Sequence, residues 1–256
     1  METQGQIDRA AELILSSDYT IAFTGAGISQ ESGVPTFRGD DGAIWSRYDP
    51  EDIEISRFLA NPEKSWRTIK ACFYDFMVDR DIRPNKAHQV LAAMEDAGML
   101  KAVVTQNIDN LHQAAGSRAV IEFHGTTRTV SCTVCHSSCV ATEADLSAKV
   151  PRCGKCGWLL KPDFVFFGEG IPPSAYAESF AHARAAKLCI VVGTSAKVMP
   201  AGMIPTIVKQ NGGAVVEVNP VESELTADYA DVHIPLGAVE AFTRLEEALR
   251  ARGVAI

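Results

Sequence analysis

The fold of this chain is decided by the stretch Tyr19-Thr-Ile-Ala-Phe-Thr-Gly-Ala-Gly-Ile-Ser29. Its first half is a short run of apolar and β-prone residues, which is typical of a fully buried parallel strand. Its second half changes to Gly-Ala-Gly, which lets the backbone turn sharply and come close to a ligand. A strand, a glycine turn and a helix start predict a phosphate site at the helix N-terminus. A dinucleotide fingerprint would have a third glycine where Gln30 stands, so an ordinary strand and turn remains the alternative.

Strands and helices alternate on both sides of this stretch. Helical spacing of apolar residues covers 6–16, 86–97, 174–186 and 239–251, and Gly98 follows the second of these patterns in the usual place after a helix end. This alternation predicts an α/β fold with a parallel sheet and right-handed crossovers. The further apolar runs of strand length are Lys101–Thr105, Val120–Phe123, Phe164–Phe167, Leu188–Val192 and Ala214–Val218.

Length and composition exclude several classes of protein. A chain of 256 residues with 46% hydrophobic and 22% charged residues can bury a full core, so it is neither disordered nor fibrous. No apolar run approaches the roughly 20 residues of a membrane helix, and the N-terminus lacks a secretion signal, so we expect a cytoplasmic protein. A formal charge of -8 argues against a nucleic-acid or anionic membrane surface. We expect a monomer, and the odd number of cysteines, seven, argues against a disulfide framework.

Two segments interrupt the alternation. Residues 40–84 contain short helical patterns such as Ser65–Val78 separated by prolines, which predicts a helical insertion. Residues 126–161 carry two Cys-x-x-Cys pairs with 17 residues between them, Cys132 with Cys135 and Cys153 with Cys156.

The two cysteine pairs predict a zinc site. Two pairs at this spacing can place four thiolates tetrahedrally around Zn²⁺, and a redox dithiol or a chance pattern is the alternative. Four protein ligands leave no position for a water molecule, so the zinc is expected to be structural. His136 and Cys139 lie close by but break the paired spacing, and we expect them to be bystanders.

Polar residues follow several of the predicted strands at the point where each strand ends. Gln106-Asn-Ile-Asp109 follows one strand, His124 another, Gly193-Thr-Ser195 a third and Asn219 a fourth. Ligands of parallel sheets bind beyond the carboxyl ends of the strands, so these groups predict one shared crevice. Helix capping by Asn and Asp is the alternative for the first group, and a structural role is the alternative for His124.

Taken in order, these motifs resemble the sirtuins, the NAD-dependent protein-lysine deacylases. The resemblance covers residues 7–250 and is to a compact bacterial or archaeal member. The motifs that carry it are Gly25–Ser29, Ser32–Gly39, Thr105–His112, His124-Gly125, the two cysteine pairs, Lys161–Glu169, Gly193–Ser195 and Val218-Asn219.

The resemblance implies a division into two domains. A Rossmann-like NAD-binding domain would comprise residues 1–39, 85–125 and 162–256. The helical module 40–84 and the zinc module 126–161 would form an inserted small domain. NAD and the substrate would meet in the cleft between the two domains.

The resemblance also implies roles for individual residues, with NAD as cosubstrate and one structural Zn²⁺ held by the four paired cysteines. Catalysis would fall to His124, Asn107 and Asp109. The peptide would bind to a strand edge at Val165, Phe166, Phe167 and Gly168 and to Val198. The residues implied to bind NAD are Gly25, Ala26, Gly27, Ser29, Thr36, Phe37, Arg38, Gln106, Asn107, Ile108, Asp109, Gly193, Thr194, Ser195, Asn219 and Val232.

The implied reaction is deacetylation of an acetylated-lysine protein or peptide, which yields lysine, nicotinamide and O-acetyl-ADP-ribose. His124 would act as general base on a ribose hydroxyl. Family members that prefer succinyl groups carry Tyr-x-x-Arg where this chain has Ile69 and Cys72, so acetyl or longer apolar groups are expected. The alternatives are a mono-ADP-ribosyltransferase and a non-catalytic zinc-ribbon module that binds a nucleotide.

Overall fold

The computed structural model of the chain describes residues 2–36, 43–75 and 81–256. Its framework is a parallel sheet of six strands in the order β3-β2-β1-β7-β8-β9, and a second sheet has the order β5-β4-β6. The strands are β1 (Thr20–Thr24), β2 (Ala102–Thr105), β3 (Val120–Glu122), β4 (Gly125–Cys132), β5 (Ser138–Val140), β6 (Leu160–Phe164), β7 (Leu188–Val192), β8 (Ala214–Val218) and β9 (Val232–Ile234).

Helices cover both faces of the large sheet. Short helices also make up most of the segment 43–75. A 3₁₀ helix, Ala26–Ser32, follows the glycine turn, and α4 continues into a π-helical turn, Lys70–Tyr74. No helix within the described ranges is both long and apolar enough to cross a membrane. The α-helices are α1 (Glu2–Ser16), α2 (Ile44–Arg47), α3 (Ile55–Ala60), α4 (Pro62–Ile69), α5 (Lys86–Asp96), α6 (Leu111–Ala114), α7 (Pro173–Ala185), α8 (Met203–Gln210), α9 (Glu224–Asp228) and α10 (Ala238–Ala251).

Strand β1 lies at the centre of the large sheet, and all five of its residues are buried. Ala22 packs in one apolar layer with α1, α5 and α10, whereas Ile21 and Phe23 pack in the opposite layer with α7 and α8. Burial on both faces explains why the strand is a continuous apolar run and not an alternating one. The predicted α/β fold with a Rossmann-like parallel sheet is confirmed.

The glycine turn lies between two neighbouring strand ends. Strand β1 pairs in parallel with β2 on one side and with β7 on the other. The strand order changes direction here, because β2 and β3 continue to one side and β7, β8 and β9 to the other. This is the topological switch point at which α/β sheets bind their ligands.

The prediction that Phe164–Phe167 forms a strand of the parallel sheet is wrong. Phe164 ends β6, which pairs antiparallel with β4 in the small sheet. The run is apolar because Phe164 and Phe166 stack on each other with ring centroids 4.8 Å apart, inside a different core. An apolar run indicates burial, but it does not indicate which sheet buries it.

The small sheet shares that core with the helices of the segment 44–74. Phe58 and Trp66 from the helices pack with Val130 and Leu160 from the sheet. The Trp66 indole N–H also donates to the Leu160 carbonyl at 3.0 Å. Two segments that are distant in sequence are therefore held together by buried aromatic side chains.

Candidate active site at the carboxyl edge of the sheet

The glycine turn packs backbone to backbone against the end of β7. Gly25 N–H donates to the Val192 carbonyl at 3.0 Å, and Gly27 N–H donates to the Gly193 carbonyl at 2.9 Å. A Cβ on Gly27 would lie 2.6 Å from the Gly193 Cα, so only glycine fits. Ala26 N–H has no acceptor among the described residues and is the open donor of the turn.

Gly193→Ala should destabilise the protein far more than a glycine substitution in open space. An added Cβ would lie 2.3 Å from Ile28 N, and Gly193 has a φ of +61°. Gly212→Ala is the matched control, since Gly212 has a φ of +79° with nothing within 4 Å of the added carbon. We expect the control to cost about 1 kcal/mol of unfolding free energy and Gly193→Ala about 3 kcal/mol more. Urea unfolding measures both, and equal losses would contradict the close packing.

The polar loop after β2 is tied to the glycine turn. The Asn107 amide Nδ2 donates to the Gly25 carbonyl at 3.1 Å and to Ser29 Oγ at 3.2 Å. Ser29 Oγ in turn donates to Asp109 Oδ2 at 2.6 Å, while Leu111 N–H donates to Asp109 Oδ1 at 3.0 Å. Burial raises the pKa of Asp109, and the hydrogen bond from Ser29 opposes that rise. Ser29 is fully buried, and its hydrogen bonds hold Asp109 and Asn107 in place.

Gln106 links the ends of β2 and β7. Its Nε2 donates to Thr194 Oγ1 at 3.0 Å, and that hydroxyl oxygen also accepts Ala196 N–H at 3.1 Å. Ser195 follows as an exposed residue. The structure thus brings two of the predicted strand-end groups into direct contact.

His124 lies at the same edge, and its hydrogen bond defines which ring nitrogen carries the proton. Its Nδ1 lies 3.1 Å from the Gln106 carbonyl oxygen, which can only accept, so Nδ1 carries the proton. Nε2 therefore has a free lone pair. Burial lowers the pKa of His124, with a smaller opposing effect from the Gln106 carbonyl, and the imidazole is neutral at physiological pH. A neutral imidazole with an open nitrogen is suited to act as a general base.

Two further histidines lie behind the polar loop, and the sequence did not single them out as site residues. His88 and His112 have ring centroids 4.9 Å apart. His88 Nε2 lies 3.4 Å from Ser29 Oγ, and His112 Nε2 lies 2.9 Å from Thr24 Oγ1. Burial lowers the pKa of His88 to about 4 and that of His112 to about 3, so both are neutral. His112 ends the Thr105–His112 motif, but for His88 the sequence offers only Asn85 three residues earlier, which predicts a helix cap and not a contact with Ser29.

A pocket opens beside Asp109 between the large sheet and the helices. Asn107, Asp109 and Thr127 are its polar lining residues, and Cys72 and Phe73 of the π-helical turn belong to its apolar lining. Thr36 is adjacent, and its carbonyl accepts Ile44 N–H at 2.9 Å. The residues that line the pocket are Ala26, Val34, Pro35, Ile44, Cys72, Phe73, Asn107, Ile108, Asp109 and Thr127.

The segment predicted as a strand edge for a peptide is largely occupied by the protein itself. Val165 N–H donates to the His124 carbonyl, Phe167 N–H to the Ile53 carbonyl and Phe166 N–H to Glu169 Oε2. Along 165–168, the main-chain groups without a partner among the described residues are the Val165 carbonyl and both groups of Gly168. The regular open edge implied by the resemblance is therefore replaced by a few isolated groups. Val198 stands exposed on a neighbouring loop.

Val232 and Asn219, which the resemblance assigns to NAD, differ in their burial. Val232 lies opposite Val216, two residues before the end of β8, and its side chain is buried in the core, so its implied contact with NAD stays a prediction. Phe37 and Arg38 lie outside the described residues. Asn219, in contrast, directly follows β8 next to the Gly193 N–H, which donates to the Val218 carbonyl.

The four paired cysteines form one cluster. Their sulfur atoms all lie within 4.8 Å of one another, with 3.4 Å between Cys132 and Cys156 and 3.7 Å between Cys135 and Cys153. Sulfurs bound tetrahedrally about 2.3 Å from a zinc ion are about 3.8 Å apart, so the cluster fits one structural Zn²⁺. Cys139 is not part of this group, which is the single His, Cys and carboxylate cluster of metal-binding size within the described ranges.

Comparison with known proteins gives a consistent result. A model of the Sir2 family matches residues 25–200. NAD-dependent protein deacylase 1 of Archaeoglobus fulgidus is 45% identical over 228 residues, which are 87% of this chain and 91% of that protein. The ADP-ribose complex of a mutant Sir2 homologue matches with a TM-score of 0.90 at 42% identity, over 97% of this chain and 98% of that one. A Sir2 variant solved with a deacetylated p53 peptide and 3′-O-acetyl ADP-ribose matches with a TM-score of 0.88 at 36% identity, over 94% and 97% of the two chains.

Proposed function

The chain belongs to the Sir2 family, and we propose that it is an NAD-dependent protein-lysine deacetylase with its active site at the carboxyl edge of the large sheet. The observation that carries this proposal is His124, whose free Nε2 lies at the same edge as the glycine turn and the polar loop. NAD supplies the ribose that accepts the acetyl group. The chain's own residues would bind and orient both ligands and move the proton.

We assign the NAD contacts from the polar atoms that remain open. Ala26 N–H is the donor for a phosphate oxygen, and the positive end of the following 3₁₀ helix favours an anion there. Asn107 and Asp109 line the pocket and are assigned to the nicotinamide side. Asn219, at the opposite end of the crevice, is assigned to the adenosine ribose.

The proton transfer is assigned to His124. Its Nδ1–H is held by the Gln106 carbonyl, which fixes the ring orientation and leaves Nε2 to take a proton from a ribose hydroxyl. The lowered pKa of His124 keeps the ring neutral and ready to accept that proton at physiological pH.

The partner is an acetylated-lysine peptide or protein. The Val165 carbonyl and the main-chain groups of Gly168 are the acceptors and donors that an extended peptide can use, because they have no partner among the described residues. The formal charge of -8 favours lysine-rich partners. We retain a monomer as the expected form.

Incubation of the purified protein with an acetyl-lysine peptide, with and without NAD, tests the proposal. Mass spectrometry should show nicotinamide, O-acetyl-ADP-ribose and deacetylated peptide in equal amounts, and only when NAD is present. Nicotinamide with ADP-ribose attached to protein would instead identify a mono-ADP-ribosyltransferase. Absence of turnover with any acyl group would leave a nucleotide-binding module.

Acetyl-lysine should be hydrolysed faster than succinyl-lysine. Ile69 and Cys72 are apolar and buried, and Cys72 lines the pocket, so neither side chain can pair with a carboxylate. A buried carboxylate without a partner is costly, and we expect kcat/KM to be at least about 10-fold lower for succinyl-lysine. Butyryl-lysine is the matched control, because it is similar in length but uncharged and should be accepted. Faster hydrolysis of the succinyl peptide would contradict the prediction.

A further inference from the structure

Glu217 is a buried carboxylate that none of the roles above uses. It lies in β8, its side chain is fully buried, and no basic group of the described residues forms an ion pair with it. Its Oε1 accepts the Ser223 hydroxyl at 2.7 Å, and its Oε2 accepts the Thr226 hydroxyl. Burying a carboxylate without a cation is unfavourable unless hydrogen bonds compensate, and here the hydroxyls of Ser223 and Thr226, which cap α9, supply them.

The third group bound to Glu217 is Asn219, the residue at the adenosine end of the crevice. Asn219 Nδ2 lies 3.4 Å from Glu217 Oε1. The Asn219 backbone is held separately, because its carbonyl lies 2.8 Å from His233 Nε2 and its N–H donates to the Ile234 carbonyl at 3.2 Å. The carboxylate oxygens accept, so they orient the amide with Nδ2 inward. Asn219 Oδ1 is thereby left as an acceptor for a ligand.

The surrounding sequence supplies negative charge and no positive charge. No lysine or arginine occurs between Lys209 and Arg244. Lys209 is paired with Asp231, and Lys197, the nearest cation on the neighbouring loop, is paired with Glu224. A phosphate group at this end would meet no unpaired cation of this segment. The acidic residues in the same interval are Glu217, Glu222, Glu224, Asp228, Asp231 and Glu240.

We propose that Glu217 is a positioning residue, an inference that rests on the proposed function. Glu217 orients the Asn219 amide oxygen toward a ribose hydroxyl of the adenosine. The same orientation disfavours nucleotides that carry a 2′-phosphate. A hydroxyl can donate to Oδ1, whereas a phosphate oxygen can only accept and is repelled by it. Other dinucleotide sites make the same distinction with an acidic residue for the hydroxyl and an arginine for the phosphate. In this chain the Asn219 amide, oriented by the buried Glu217 carboxylate, distinguishes the hydroxyl from the phosphate.

Calorimetric binding of ADP-ribose and of 2′-phospho-ADP-ribose to the purified protein tests this proposal directly. Wild type should prefer ADP-ribose at least about 100-fold, which is the discrimination expected when buried polar groups are left unmatched. Glu217→Gln should reduce that preference about 10-fold or more, because the charge is lost and the Asn219 amide is free to turn its Nδ2 outward. Glu240→Gln is the matched control, since Glu240 is an exposed partner of Arg244 on α10, and it should leave the preference unchanged.

Steady-state kinetics separate a positioning role from a purely structural one. Glu217→Gln should raise the KM for NAD while kcat and the KM for the peptide stay within about twofold of wild type. A variant that is merely misfolded would lose all three together. If Glu217→Gln misfolds, Asn219→Ala still tests the inference, because it alters a partly exposed residue. Asn219→Ala should weaken ADP-ribose binding without weakening 2′-phospho-ADP-ribose binding.

The outcomes distinguish this inference from the function on which it rests. An unchanged preference in both Glu217→Gln and Asn219→Ala would overturn the inference while leaving the deacetylase proposal intact. Failure of wild type to bind ADP-ribose at all would overturn the proposed function.

Discussion

His124→Ala should lower kcat/KM for deacetylation about 10²–10⁴-fold, while bound zinc and ADP-ribose affinity stay at the wild-type level. The reason is that the variant loses the imidazole whose orientation is fixed by the Gln106 carbonyl and whose Nε2 is assigned to the proton transfer. The zinc cluster is built from cysteines alone, so the substitution does not touch it. The measurement is steady-state turnover of an acetyl-lysine peptide, with zinc content and calorimetric ADP-ribose binding determined on the same preparation.

The pH profile gives an independent check on the same residue. Burial lowers the pKa of His124 from its ordinary 6.5, so the neutral form persists below that pH and kcat/KM should fall only when the pH drops further. The residual activity of His124→Ala should lack this acidic limb. His182→Ala is the matched control, because His182 bonds the Tyr19 hydroxyl away from the crevice. Full activity in His124→Ala would contradict the assignment.

The fold could be predicted where local sequence and tertiary position agree. The apolar stretch before Gly25 predicted a buried parallel strand, and β1 is that strand with both faces covered. The glycines were predicted to permit a close approach to a ligand. The structure gives them a further role that no single sequence window contains, because Gly27 and Gly193 pack on each other from strands separated by most of the chain.

The parts of the site that escaped prediction depend on contacts between distant segments. Nothing near Ser29 indicates that its hydroxyl is bonded to Asp109, 80 residues further along the chain. The strand order also decides whether a residue reaches the crevice. Asn219 lies at the carboxyl edge because it follows β8, whereas Val232 begins β9 and its side chain lies in the core. Motif spacing carries no information on this register.

Loss of the zinc site should have the largest effect on stability. Structural zinc contributes about 10–16 kcal/mol of binding free energy, which is comparable to the 5–15 kcal/mol that stabilises a typical domain. The small sheet shares its core with the helices, and the π-helical turn on that core lines the pocket at Cys72 and Phe73. Cys153→Ser should therefore abolish zinc binding, unfold the small sheet and remove activity.

Cys139→Ser is the matched control for this prediction, because Cys139 lies on β5 next to the cluster but is not one of its four members. It should keep one zinc per chain and wild-type activity. Zinc content, thermal unfolding and the near-ultraviolet signal of the three tryptophans, of which Trp66 is fully buried in the shared core, measure the two variants side by side. Retention of zinc by Cys153→Ser, or its loss from Cys139→Ser, would show that the ligands are not the four paired cysteines. Retention of activity in a zinc-free Cys153→Ser would instead show that the small sheet does not support the pocket, because the shared core is the physical connection between the two.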